Sequence, residues 1–179
     1  EVFSVRAMTN LDYVLGKALA LFKLCFALNV VLLLIPVIVN LTSPYTTFDP
    51  IAFIMYPLLI SVPSIVFTTG MAFLLVTILK NQPITIVLLM GIVGVQLIYY
   101  FDEFSNILDF MAFRLPMLTS DIAGFVGLEA AIWQRAFYFI TGLALLFITA
   151  FFLDRLSSHK ITHLATGLIG VSLLTLSSV

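Results

Sequence analysis

Long stretches of this chain carry no Asp, Glu, Lys or Arg, among them residues 24–48, 50–79, 81–101 and 136–153. Each is long enough to cross a hydrocarbon layer as a helix, which takes about 20 mostly apolar residues. In lipid no water is available to the backbone, and a helix satisfies its amides and carbonyls within its own segment. The pattern therefore predicts an all-α, polytopic membrane helix bundle. Composition agrees: of 179 residues, 62% are hydrophobic and 9% charged, against about 25% charged in a soluble domain. No basic block points to nucleic acid. The single Cys25 lies in an apolar run and reads as a small core residue.

Hydropathy places five spans at about 18–41, 52–79, 83–101, 135–153 and 161–179, with a transmembrane domain over 18–179. Pro83 suits a first helical turn, where its missing N–H costs nothing. The stem of Lys23 can snorkel toward headgroups. With the N-terminus in the cytoplasm, Arg6, Lys17, Lys23, Lys80, Arg155 and Lys160 fall inside and only Arg114 and Arg135 outside. The acidic residues Asp49, Asp102, Glu103, Asp109, Asp121 and Glu129 sort outward. This bias predicts a multi-pass protein with a cytoplasmic N-terminus. The chain reads as a piece of a longer protein, since it opens on Glu1 and closes within an apolar run.

The outer segment 102–134 is too polar to span. Phe104, Ile107, Leu108, Met111 and Leu115 recur at helical spacing, with Ser105, Asn106 and Asp109 opposite, which predicts an amphipathic interfacial helix ending near Pro116. Thr119, Ser120 and Asp121 offer caps for a second helix over 122–128. Trp133, Gln134 and Arg135 read as an interfacial anchor entering the fourth span. The competing reading is a plain outer connection.

Thr9 stands three residues before Asp12, the spacing of a capping box, and Leu11, Val14 and Leu15 follow. A short cytoplasmic helix over 10–16, leading into the first span through Gly16 and Lys17, is expected; the plainer alternative is the frayed start of a membrane helix. The opening string, Glu1-Val-Phe-Ser-Val-Arg6 followed by Thr9-Asn10-Leu11-Asp12-Tyr13-Val14-Leu15-Gly16-Lys17, resembles the cytoplasmic loop of type 2 ABC transporter permeases. Glu1, Arg6, Thr9, Tyr13 and Lys17 match the family's pattern, while Ala7 stands where the family commonly has Pro. The resemblance implies that residues 1–17 form a coupling segment contacting an ATP-binding subunit or domain, through Glu1, Arg6, Leu11, Asp12 and Tyr13. It also implies a second permease half or a homodimer partner and a plasma membrane, that of a bacterial inner membrane. The layout of 18–153 is similar to spans three to six of the family, with the run 161–179 as an extra.

No Walker A motif is present, since Gly16-Lys17 lacks the upstream glycine. No Gly-x-Ser-x-Gly elbow exists, and no cofactor or catalytic residue is assigned. His159 and His163 lie four apart, but no third metal ligand is evident, so no metal site is assigned. Asp102, Glu103 and Asp109 read as ordinary outer acids. Ionisable groups are nearly absent from the spans, which argues against a proton- or sodium-coupled carrier. Ser61, Ser64 and Thr68 share one face of the second span, beside Pro57 and Pro63, which free carbonyls and bend the helix. They, with Gln96, are candidates for a path or hinge; the alternative is close helix packing through small and hydroxyl residues. The functional expectation is the membrane part of an ABC-type exporter energised by a separate ATPase. The alternative is a membrane-anchoring or assembly subunit, and a membrane-embedded enzyme ranks below both.

Overall fold

The computed structural model describes residues 9–43, 50–99, 109–112, 118–120, 124–126, 128–153 and 160–177. Among these residues the elements run in the order α1 (Asn10–Thr42), α2 (Pro50–Tyr56), a π-helical turn (Pro57–Ser61), α3 (Val62–Leu79), α4 (Gln82–Tyr99), β1 (Leu118–Ser120), β2 (Gly124–Val126), α5 (Leu128–Phe152) and α6 (Lys160–Ser177). Among the described residues, three helices are long and apolar enough to cross a membrane: Asn10–Thr42, Phe53–Leu79 and Leu128–Phe152. The chain is thus a helical bundle of membrane character. α4 and α6 hold shorter apolar stretches, Gln82–Leu97 and Leu164–Ser177.

α1 begins at a capping box. The Thr9 hydroxyl accepts from the backbone N–H of Asp12, and the Asp12 carboxylate accepts from the backbone N–H of Thr9. The helix then runs 33 residues without a break, about 50 Å at 1.5 Å per residue. Residues 10–16 are its first turns rather than a separate element, since the helix continues through Gly16 and Lys17. Only the beginning of α1 is buried, at Asn10, Val14 and Ala18. Val14 and Ala18 pack with Leu146 and Ala150 of α5, flanked by Leu11, Tyr13, Phe73 and Leu153. The start of α1 thus lies beside the end of α5, so the two run antiparallel.

α3 and α5 form the centre of the bundle, side by side and parallel: Gly70 faces Gly142, and Ser64 faces Arg135. A Cβ added at Gly142 would stand 2.7 Å from Phe67 Cα and N. Glycine here lets two backbones approach, which supports dispersion and packing where no hydrophobic drive exists between helices in lipid. α6 returns antiparallel to α5, with Gly167 against the Phe151 ring and Gly170 against Ile148 and Ala144. The beginning of α1, the ends of α3 and α5 and the beginning of α6 therefore share one end of the bundle. Lys80 closes α3 there in the left-handed region (φ 52°), its N–H bonded to Val76 O.

Two expectations for the outer segment are corrected. The amphipathic helix does not continue through 109–112: these residues form a turn, closed by Ala112 N–H donating to Asp109 O at 3.4 Å, with Ala112 at φ 64°. Residues 102–108 and 113–117 lie outside the described residues. The second outer helix is replaced at Gly124–Val126 by a strand pairing antiparallel with Leu118–Ser120, Thr119 opposite Phe125. Gly124 disfavours helix, and Phe125 and Val126 favour strand.

Candidate functional site

α5 starts at Leu128, about two turns earlier than hydropathy placed the fourth span. That shift carries Arg135 into the bundle. Residues two apart on a helix point about 200° from one another, so Trp133 is 71% exposed while Arg135 is 1% exposed. The anchor reading of Arg135 is corrected: it is a buried tie. Its Nη2 donates to Asp109 O at 2.5 Å, and its Nη1 donates to Phe110 O at 3.0 Å and, more distantly, to Ser64 Oγ at 3.4 Å. The Asp109 carboxylate, also buried, adds an electrostatic attraction. The guanidinium further sits 5.3 Å from the Tyr138 ring centroid. Arg135 Nε has no partner among the described residues.

This capture explains the turn at 109–112. The carbonyls of Asp109 and Phe110, which a helix would spend on its own amides, are held by Arg135. Phe110 is inserted into the bundle, 5.4 Å from the Phe67 ring, and Phe67 meets Tyr138 edge-on at 5.1 Å. An Arg in a membrane span is costly unless it faces the bundle interior and pairs there with other groups or backbone carbonyls. The planar fork suits two adjacent carbonyls better than an ammonium would.

Next to this cluster lies an open groove of about 480 Å³ between α1 and the α2–α3 helix. Leu21, Cys25 and Asn29 come from α1, at four-residue steps along one face. Ile60, Ser61, Ser64, Ile65, Thr68, Thr69 and Ala72 come from the opposite wall, and Met111 closes one side. The predicted face of Ser61, Ser64 and Thr68 is thus assembled on one wall. Ser64 Oγ donates to Phe110 O at 2.8 Å, linking the groove to the Arg135 cluster, and Thr68 Oγ1 donates back to Ser64 O at 2.7 Å. Pro57 opens the π-helical turn, and Pro63 is buried at the start of α3. A π-turn widens the helix locally, and such turns are frequent at functional sites. Gln96, on α4, does not line the groove.

Of the predicted ATPase-contact residues, Asp12 is exposed in the capping box. Leu11 and Tyr13 are half-buried against the α1–α5 core, and Lys17 Nζ lies 4.6 Å from the Tyr13 ring centroid. Glu1 and Arg6 lie outside the described residues, as do Asp102, Glu103 and His159. Among the described residues, no group of three or more His, Cys, Asp or Glu is placed to hold a metal. Asn29 was missed by sequence reasoning; its polarity amid apolar neighbours was the available signal.

No protein-family model matches the chain, and no curated protein or solved structure is significantly similar to it.

Proposed function

We propose that this chain is the membrane-spanning permease part of an ABC-type exporter, energised by an ATP-binding subunit or domain that docks beside the start of α1. In this reading the end of the bundle shared by α1, α3, α5 and α6 is cytoplasmic, in agreement with Lys17, Lys80 and Lys160 lying there. α4 and α6 complete five spans, the segment 102–134 lies outside, and a second permease half or a copy of the chain faces the groove. The membrane is the plasma membrane, a bacterial inner membrane.

The observation that carries the reading is the course of α1. One capped, unbroken helix begins at the bundle end, is clamped there to α5, and continues to the groove at Leu21, Cys25 and Asn29. Such a helix can convey a rigid-body movement from a docked ATPase to the groove within the bundle. The chain itself supplies no nucleotide chemistry in this reading.

A second reading, a membrane-anchoring subunit without a transport path, is favoured by one fact: Leu11 and Tyr13 already pack on their own chain. Leu11→Ala with Tyr13→Ala separates the two. The permease reading expects weaker ATPase association and loss of substrate-stimulated hydrolysis, with membrane insertion intact. Val14→Ala, which loosens the α1–α5 contact alone, serves as control. Normal association and hydrolysis in the double variant would leave the anchoring reading standing. Accessibility of a cysteine at Lys80 from the outer side only would overturn the orientation.

A further inference from the structure

We propose that the turn at residues 109–112 is a withdrawable wedge. It holds α3 and α5 apart at the end of the bundle opposite Lys80, over a pivot where Gly142 meets α3, and its withdrawal lets that end close. The device rests on neither functional reading.

Glycine sets the pivot. At Gly142 the two helices meet backbone to backbone: an added Cβ would stand 2.7 Å from Phe67 Cα and N and 2.8 Å from Val66 C. Small residues permit this approach in lipid. With no side chain of Gly142 interleaved there, the helices can rock about the contact.

Toward the starts of α3 and α5 the contact changes in kind. Ser64 and Arg135 meet through side chains, and the turn is keyed between them. The Phe110 carbonyl accepts from a donor on each helix, Ser64 Oγ at 2.8 Å and Arg135 Nη1 at 3.0 Å. The Phe110 ring lies 5.4 Å from that of Phe67 on α3, while Arg135 on α5 donates to Asp109 O. Asp109 and Phe110 are 9% and 6% exposed, so the turn is inserted rather than laid on the surface. The direct bond between the helices, Arg135 Nη1 to Ser64 Oγ, stands at 3.4 Å, long against about 2.9–3.0 Å for an ordinary N–H···O bond. The wedge holds it open.

Two features leave the docked turn short of its lowest energy. Ala112 is held at φ 64°, a left-handed conformation that any residue with a Cβ adopts at a cost. Arg135 Nε is buried with no acceptor among the described residues. Backbone strain persists only where its surroundings enforce it, and it gathers in switch regions. When the turn withdraws, Arg135 keeps Ser64 Oγ and the Tyr138 ring, 5.3 Å away. Shortening the bond to Ser64 draws α3 toward α5. The π-helical turn ends at Ser61, three residues before Ser64, and gives the start of α3 a place to bend.

Double electron–electron resonance in phosphatidylcholine nanodiscs tests the wedge, with Cys25→Ala removing the native thiol. Labels at Leu58→Cys and Ile132→Cys span the wedged end, and labels at Ile78→Cys and Phe152→Cys span the other side of the pivot; all four positions are exposed. Phe110→Ala should shorten the first distance by roughly 2 Å, the scale of helix shifts at packed contacts, and lengthen the second. Phe110→Leu, which keeps an apolar side chain but loses the ring, carries the test with the same signs if Phe110→Ala does not fold. An unchanged distance at either pair, or shifts of one sign, would overturn the proposal and leave 109–112 as ordinary core filling. Withdrawal has its own readout, the reaction of Met111→Cys with an aqueous maleimide. Adding Ala112→Gly relieves the strain of the docked turn and should slow that reaction roughly two- to five-fold, the left-handed cost less the entropy of glycine. An equal or faster rate would show that the turn does not withdraw.

Discussion

Asn10 Nδ2 donates to the carbonyl oxygen of Leu153 at 2.6 Å, joining the first residue of α1 to the residue just beyond α5 across 143 positions of sequence. Asn10 is 4% exposed, and the carbonyl it meets is one that a helix end leaves without an internal donor. Together with the Val14 and Ala18 contacts, this bond clamps α1 where a lever would need to be held.

Asn10→Leu should therefore cost about 1–3 kcal/mol, the penalty for an acceptor left buried without a donor. Thermal unfolding in detergent measures the loss, and hydrogen exchange should rise at residues 10–18 while α3 stays protected. Unchanged exchange at the start of α1 would show that the bond does not hold the clamp.

Arg135→Met removes the donors that hold Asp109 and Phe110. Breaking a buried charged network by removing one partner costs about 3–5 kcal/mol. Arg135→Lys keeps the charge but loses the fork, and should recover less than half of that. Denaturant unfolding compares the three proteins; a lysine variant as stable as the wild type would show that charge alone sufficed.

The glycines divide into two kinds. Gly142→Ala drives a methyl into the α3 backbone and should destabilise by about 1–3 kcal/mol through overpacking. Gly91→Ala meets nothing within 4 Å and should be neutral or stabilising by up to about 1 kcal/mol through helix propensity. Parallel melts of both variants check the contrast, which fails if Gly142→Ala is silent.

Thr9→Ala removes the cap of α1 and should cost about 1 kcal/mol. Faster exchange of the amides of residues 10–13 would report the fraying directly.

What could be read from the sequence was local. The uncharged apolar runs implied spanning helices because each helix satisfies its own backbone. Thr9 and Asp12 implied a capping box because both partners lie within one turn. Ser61, Ser64 and Thr68 implied one polar face because helical periodicity places them there. The outer amphipathic helix failed at Asp109–Met111 for the opposite reason: its carbonyls are taken by Arg135, about 25 residues later in the chain.

The same limit separates sequence from tertiary structure throughout. Sequence alone determined that this chain forms apolar helices, where α1 begins, and which positions share a helix face. Only the tertiary structure decided that Arg135 is buried rather than at an interface, that Gly70 meets Gly142, and that Asn29 joins Ser61 and Thr68 around one groove. In water, burial follows apolarity, so an apolar stripe marks the face that packs. In a bilayer, lipid is as favourable a neighbour for Leu or Val as protein is, so hydropathy marks the span but not its contacts. Those contacts depend on small residues and polar ties between helices far apart in sequence, and spacing along the chain does not encode them.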